Sequence, residues 1–291
     1  MGSVPTETVI RGNGRSLPDA PGSSPDALPR PAGDVRALDI RLCFDHAAGR
    51  ETARTDGSGS VGRFKAFALR GALRDSGSMT VILLNPNTSV ETTDRMCRLA
   101  ARVMPERPVG WSAPTGPDVI VTAAALDRAA QLVAAAQVPP TARAAIVAAF
   151  GDPGLIALQN RLSIPVIGIG AASARAASAT GMDFAVVTTT PDLAPQIDAL
   201  MRTAGDPSRY VGSYFTPGDP VAVMGETGAL DASLLAAIDV ACDAGARCVI
   251  IGGGPLGEAA ERLRDRSPLP LFNPVLCAAR EAAMQLAAAH G

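Results

Sequence analysis

The chain has 291 residues, 47% of them hydrophobic and 19% charged, with a formal net charge of −2. That is enough apolar material for one or two packed cores, and it leaves no cationic surplus for nucleic acid. Every apolar stretch is cut by Asp, Arg, Pro or Gly within about a dozen residues, short of the roughly 20 that span a bilayer, so a small neutral or anionic molecule is the expected partner.

Residues 1–78 are dominated by Pro, Gly, Ser, Asp and Arg (SLPDAPGSSPDALPRPAG, RTDGSGSVGR) and show no hydrophobic periodicity. They read as a disordered N-terminal extension. They carry no continuous apolar core of the kind a secretory signal needs, and Met79 opens the first patterned segment, MTVILLNPNTS.

From Thr80 onward short β-rich runs alternate with Ala/Leu-rich helical stretches, the pattern of an α/β protein with a mainly parallel sheet. Strands are expected at TVILL (ending at Asn85), AAIVAAF, IPVIGIG, DFAVVTTT, RYVGSYF and RCVIIGG, with a short one at PLPLF. Ser89 is placed to cap a helix running through Leu99. Further helices are expected over 119–136, 154–162, 171–180, 191–203, 231–244, 255–264 and 274–289.

Ligands of open parallel sheets bind outside the carboxyl ends of the strands, which singles out four turns. NPNTS supplies Asn85, Asn87, Thr88 and Ser89 at a helix N-terminus, where unpaired N–H groups favour a carboxylate or imide oxygen; capping alone would not require two asparagines. FGDPG contains Asp152, the single carboxylate in these turns. Capping of a helix starting at Pro153 is its favoured reading and a general base the alternative. Thr188, Thr189 and Thr190 end a strand, and Gly252, Gly253 and Gly254 permit close backbone approach and an anion-binding nest. Neither a GxGxxG nor a GK[ST] phosphate motif is present. Tyr210 and Tyr214 are expected on one face of their strand, packed in the core, with a phenolic acid as the alternative.

The five cysteines (Cys43, Cys97, Cys242, Cys248, Cys277) lack CxxC spacing, and the two histidines, His46 and His290, lie near the chain ends. This argues against a His/Cys metal site and for a reducing cytoplasm. Cys97, Cys242 and Cys277 fall in expected helices, and Cys248 lies within a strand about five residues before its turn.

In this order and spacing, ILLNPNTS, AFGDPGL, PVIGIG, FAVVTT and IIGGGPL resemble the hydantoin racemase branch of the aspartate/glutamate racemase superfamily, over most of 79–291. The resemblance implies two similar α/β lobes facing each other across a ligand cleft: 79–180, joined by a C-terminal helix over 274–291, and 181–273. It implies no metal and no organic cofactor. It also implies two cysteines, one per lobe, that exchange a proton at the substrate's α-carbon, a task suited to thiols of lowered pKa. At those two positions this chain has Ala149 and Gly253. The substrate-holding segments are kept as Asn85, Asn87, Thr88, Ser89, Phe150, Gly151, Thr188, Thr189 and Gly254, while Asn273 stands where members often carry an acidic residue.

The reading that follows is a retained pocket with altered chemistry: an enzyme acting on a small carboxylate or ureide as a lyase, decarboxylase, cyclase or condensing enzyme, without cofactor and without cysteine. The alternatives are a non-catalytic metabolite-binding protein, and a racemase using another base, for which Asp152 and Tyr214 are the candidates. The apolar, Ala-rich helices suggest a homo-oligomer.

Overall fold

A computed structural model describes residues 80–289; the extension read over 1–78 and both histidines lie outside the described residues. The apolar runs become strands buried along their whole length, as expected where helices cover both faces of a parallel sheet. In the first half β1 (Val81–Asn85), β3 (Ala144–Val147) and β4 (Val166–Gly168) are buried throughout, and β2 (Val109–Ser112) forms the more exposed edge. In the second half β5 (Phe184–Thr188), β6 (Tyr210–Phe215), β7 (Cys248–Ile251) and β8 (Leu271–Phe272) repeat the plan. The sheet orders are β2-β1-β3-β4 and β6-β5-β7-β8, all pairs parallel, so β5 occupies in the second sheet the place of β1 in the first.

Nine helices connect and cover these strands among the described residues: α1 (Val90–Ala100), α2 (Ala123–Ala135), α3 (Leu155–Arg161), α4 (Ile169–Ser178), α5 (Ala194–Ala204, preceded by a 3-10 turn at Pro191–Leu193), α6 (Pro220–Met224), α7 (Thr227–Asp243), α8 (Gly257–Leu263) and α9 (Pro274–Ala288). Ser89 caps α1 by accepting from Thr92 N, as its sequence position predicts. Asn273 caps α9, accepting from Val275 N, and its Nδ2 donates to Gly257 O and Glu261 Oε1. A neutral amide can satisfy both helices in this way, where a carboxylate would face Glu261.

The largest buried cluster joins Leu83 and Ile146 of the first sheet to Phe184, Val186 and Ile250 of the second, and includes residues of α1, α4, α5 and α9. The C-terminal α9 packs on β3 and β4, while α4 touches β7 and β8 of the other sheet as well as α5 and α9. Two smaller clusters lie on the remaining sheet faces: Ile82, Leu84 and Val147 with Val133 and Leu158, and Val187, Val249 and Ile251 with Leu234 and Ile238. Each such fully buried aliphatic side chain stabilises by about 1.5–3 kcal/mol, and the central strands β1, β3, β5 and β7 contribute them on both faces.

Four local expectations are corrected. β2 and α6 were not foreseen. β2 is an edge strand of four residues, VGWS, in which Val109 and Trp111 are too few to set a pattern, and α6 is a single turn with no buried residue. The strand expected through Gly170 stops at Gly168 because Ile169 and Gly170 already open α4. Tyr210 and Tyr214 do not share a face: the β5–β6 register slips between Phe184↔Tyr210 and Ala185↔Gly212, leaving Val211 unpaired as a bulge. Tyr210 therefore faces α5, where its hydroxyl donates to the Asp198 carboxylate at 2.6 Å and Ser213 Oγ donates to the same oxygen at 2.8 Å. Tyr214 points to the opposite side, into the cluster under α7.

The bulge depends on Gly212, whose φ is +144°. Gly212→Ala is expected to lower the free energy of unfolding by about 1–2 kcal/mol, measured as a reduced denaturant midpoint. An unchanged midpoint would show that this bulge carries no strain penalty.

Candidate active site

At the carboxyl ends of the strands the two sheets face a common open cleft. Its polar side begins where β1 ends. Asn85 is 1% exposed, and its Nδ2 is spent on wiring the turn, donating to Asn87 Oδ1 (2.7 Å), Thr93 Oγ1 (2.9 Å) and Ser89 O (3.3 Å). Asn87 Oδ1 accepts in addition from Ser89 N at 3.0 Å. This fixes the Asn87 amide plane and leaves its Nδ2, which has no partner among the described residues, at the cleft wall. Of the four residues singled out in this turn, Asn85 and Asn87 line the cleft. Thr88 instead bonds Asp118, and Ser89 is occupied as the cap of α1.

The turn after β3 presents Ala148, Ala149 and Phe150 to the cleft, and the turn after β7 presents Gly252 to Leu256. These two turns abut across the lobes. A Cβ built on Gly252 would lie 3.1 Å from Phe150 Cε1, and one on Gly254 would lie 2.8 Å from Ala148 O and 2.6 Å from Met96 Sδ. Glycine is therefore required at both positions for the lobes to close to this distance. The backbone N–H groups of Ala149, Phe150, Gly253 and Gly254 make no hydrogen bond among the described residues. Thr188 donates to Gly252 O, tying β5 to the glycine turn, and Thr189, 2% exposed, brings its hydroxyl to the lining.

Gly151, Asp152 and Tyr214 do not line the cleft. Gly151 sits over Leu126. Asp152, at φ +49° and 7% exposed, does not cap α3, the helix that follows it; α3 has no side-chain cap. Its two carboxylate oxygens accept instead from Gly170 N (2.8 Å) and Ala171 N (2.7 Å), capping α4 from a distant turn. Space for the carboxyl is made by Gly168, where a Cβ would fall 2.2 Å from Asp152 Cγ, so the GDPG and IGIG segments are two halves of one joint. Burial pushes the Asp152 carboxyl up to about 7, opposed by the hydrogen bonds from Ala171 N and Gly170 N.

Among the described residues no ionisable side chain lines the cleft, and no cysteine does. Ala149 and Gly253 both line it, each partly exposed. Burial holds the Cys97 and Cys248 thiols at about 11, so both keep their protons near neutral pH. Cys277 is packed in α9 and Cys242 lies in α7. No group of His, Cys, Asp and Glu suited to a metal occurs among the described residues. No helix among them is long and apolar enough to cross a membrane. Sequence reasoning missed Val119, Ile120, Leu193, Ile197, Met224, Pro255 and Leu256 of the lining; they lie one turn beyond the strand ends or on α6, where apolar residues read as ordinary core.

Two parallel α/β lobes of matching sheet order, closing on a cleft lined by strand-end turns from both, define a two-lobed α/β class. The chain belongs to the Asp/Glu/hydantoin racemase family, whose model matches residues 81–282. It is 27% identical over 212 residues to a hydantoin racemase of Paenarthrobacter aurescens, covering 70% of this chain and 89% of that protein. Its fold is similar to the crystal structure of allantoin racemase from Pseudomonas fluorescens, with a TM-score of 0.67 at 23% identity, covering 72% of this chain and 92% of that one. Glutamate racemase from Francisella tularensis shares the fold at a TM-score of 0.55 and 15% identity, over 74% of this chain and 83% of that one.

The position of Asp152 carries a pH signature. A carboxyl at about 7 when folded and at its ordinary 3.8 when unfolded binds more protons in the native state between those values. Its contribution to stability is therefore full below about pH 4 and is lost as pH rises through 7. Asp152→Asn is expected to flatten that part of the stability profile, and also to cost about 1–3 kcal/mol, because its Nδ2 cannot accept from a backbone N–H. Thermal unfolding of both proteins between pH 4 and 8 checks this; parallel profiles would refute the coupling.

Proposed function

We propose that this family member binds a small ureide or carboxylate in the interlobe cleft and acts on it without cysteine, as a lyase, decarboxylase, cyclase or condensing enzyme. The observation that carries this is the makeup of the lining among the described residues: amide, hydroxyl and backbone donors from both lobes that have no partner there, with no ionisable side chain among them. Such a site can orient a ligand and stabilise an enolate-like oxygen by hydrogen bonds. It offers no protein group to carry a proton from one face of an α-carbon to the other. The family resemblance puts the two racemase thiols at Ala149 and Gly253, and both positions face this cleft. Asp152 and Tyr214, the candidates for a substitute base, lie outside the lining, which weighs against a racemase using either.

A ureide is favoured over a carboxylate within this class. Two of the three relatives named above are a hydantoin racemase and an allantoin racemase, the third, of lower identity, being a glutamate racemase, and hydantoin and allantoin are neutral cyclic ureides that need donors and apolar walls rather than a cationic partner. The missing proton carrier also supports a second reading, a protein that holds or senses such a metabolite without turnover.

Proton NMR in heavy water separates these readings. With hydantoin, allantoin and small carboxylates the wild-type protein is expected to show saturable binding and no acceleration of α-hydrogen exchange. Appearance of a product supports the enzyme, binding without product supports the sensor, and rapid exchange by the wild-type protein overturns both. In the Ala149→Cys, Gly253→Cys double variant, exchange of a bound ureide is expected to appear. Gly253→Cys also carries a stability penalty, of about 1–3 kcal/mol, since Gly253 has φ +148° and a Cβ there would press Leu256 Cγ at 3.2 Å. A folded, ligand-binding double variant that never exchanges would count against a retained racemase pocket.

A further inference from the structure

The way the two strand-end turns cross brings Ala149 and Gly253 to one gap. The turns approach each other twice, Gly252 against the Phe150 ring and Gly254 against Ala148 O. The order is reversed, Phe150 meeting Gly252 and Ala148 meeting Gly254, so the middle residue of each turn faces the space between the two approaches. Burial follows the same pattern. Ala148, Phe150, Gly252 and Gly254 are buried, while Ala149 and Gly253 are partly exposed and line the cleft. The turns are thus packed tightly on either side of a point where one lobe supplies a methyl group and the other only backbone.

The gap is ringed by donors. The backbone N–H groups of Ala149, Phe150, Gly253 and Gly254 have no hydrogen-bond partner among the described residues, and a ligand oxygen is the kind of group that satisfies such donors. A flat ring held by its oxygens between two lobes presents the two faces of its ring carbon to opposite turns. A group on one face then enters the room in front of Ala149, and a group on the other the room in front of Gly253.

Resting on the ureide reading above, we propose that the cleft takes cyclic ureides whose ring carbon is fully substituted, with one non-hydrogen group on each face. This single property of the ligand accounts for both departures from the family resemblance, Ala149 and Gly253. A carbon that bears no hydrogen is not racemised by proton exchange, so a protein that binds it has no use for a proton carrier on either face. It also needs the room that two thiols would occupy. With a hydrogen on one face instead, the wall atoms on that side lose their contact partners.

Two isomers test this: a hydantoin with two methyl groups on its ring carbon, and a hydantoin with one ethyl group there. They contain the same atoms, but dimethylhydantoin divides the added carbons between the faces and ethylhydantoin puts both on one, so a general preference for apolar groups does not separate them. Calorimetric titration of the full-length wild-type protein with these two and with unsubstituted hydantoin is expected to rank dimethylhydantoin tightest. Its margin over racemic ethylhydantoin is expected to be at least fivefold, more than the twofold that a racemate can account for. Ala149→Val fills the room on one face and is expected to lower the dimethyl-to-ethyl affinity ratio at least fivefold. Ala149→Cys, one sulfur atom larger than the native side chain, is expected to lower that ratio at least threefold, and it carries the test if circular dichroism shows that Ala149→Val does not fold. Ethylhydantoin bound as tightly as dimethylhydantoin by the wild type overturns the fully substituted carbon while leaving the ring-binding cleft standing. A ratio unmoved in a variant with the wild-type circular dichroism spectrum does the same, as does binding of hydantoin alone. Binding of none of the three overturns the ureide reading, and this inference with it.

Discussion

The geometry of the cleft depends on one buried interaction, the Asp152 carboxylate seated on the first N–H groups of α4. Through it the turn that delivers Ala148, Ala149 and Phe150 is tied to a helix that touches both sheets. A carboxyl group at a helix N-terminus satisfies backbone donors that would otherwise be orphaned. Here the same contact also sets the spacing of the lobes, because the residues ahead of Asp152 are those that meet Gly252 and Gly254. The contact has costs: a non-glycine residue at positive φ, a desolvated carboxyl and glycine at Gly168. Strain and burial of this kind persist where the surroundings over-determine them. The local reading of Asp-Pro as a cap for its own helix assigned the right role to the wrong helix.

Much of the fold was legible because parallel strands covered on both faces are short, continuous apolar runs, and VILLN, AAIV, FAVVT and CVII are unmistakable as such. The turns that follow them were legible for the same reason: where a buried run breaks into Asn, Thr or Gly, a strand has ended. What could not be read is what depends on a partner remote in sequence. The VGWS edge strand is defined by pairing with β1, and the face of Tyr214 is set by a register slip against β5. Whether Thr88 serves a ligand or Asp118 is decided by a residue thirty positions away. The apolar half of the cleft was illegible for a different reason, since a Val, Leu or Met lining a pocket has the same sequence signature as one in a core.

The proposed chemistry rests on the absence of charge from the lining among the described residues. In a two-thiol racemase the cleft must hold at least one thiolate, so the surroundings have to lower a thiol pKa. Among the described residues nothing in the lining ionises, and hydrogen-bond donors without partners are of the kind that meet neutral carbonyl oxygens or a developing oxyanion. The proposal of cysteine-independent chemistry follows from that difference.

The glycine turn shows how firmly that state is built in. Gly252 and Gly254 are needed for the lobes to meet, whatever the chemistry. A Cβ built on Gly253, between them, would meet Leu256 of its own turn first. Its φ of +148° is nonetheless one that a cysteine would adopt only under strain. Ala149, by contrast, has an ordinary backbone, and a thiol there would need only the room already open in front of it. The two sites are therefore unequal: the first differs from a thiol-bearing turn by a side chain, the second by a backbone conformation as well. A turn relaxed in this way releases the steric constraint that a second side chain would impose opposite Ala149. The space gained lies beside the unpartnered N–H groups of Gly253 and Gly254, where a ligand oxygen can approach the backbone directly.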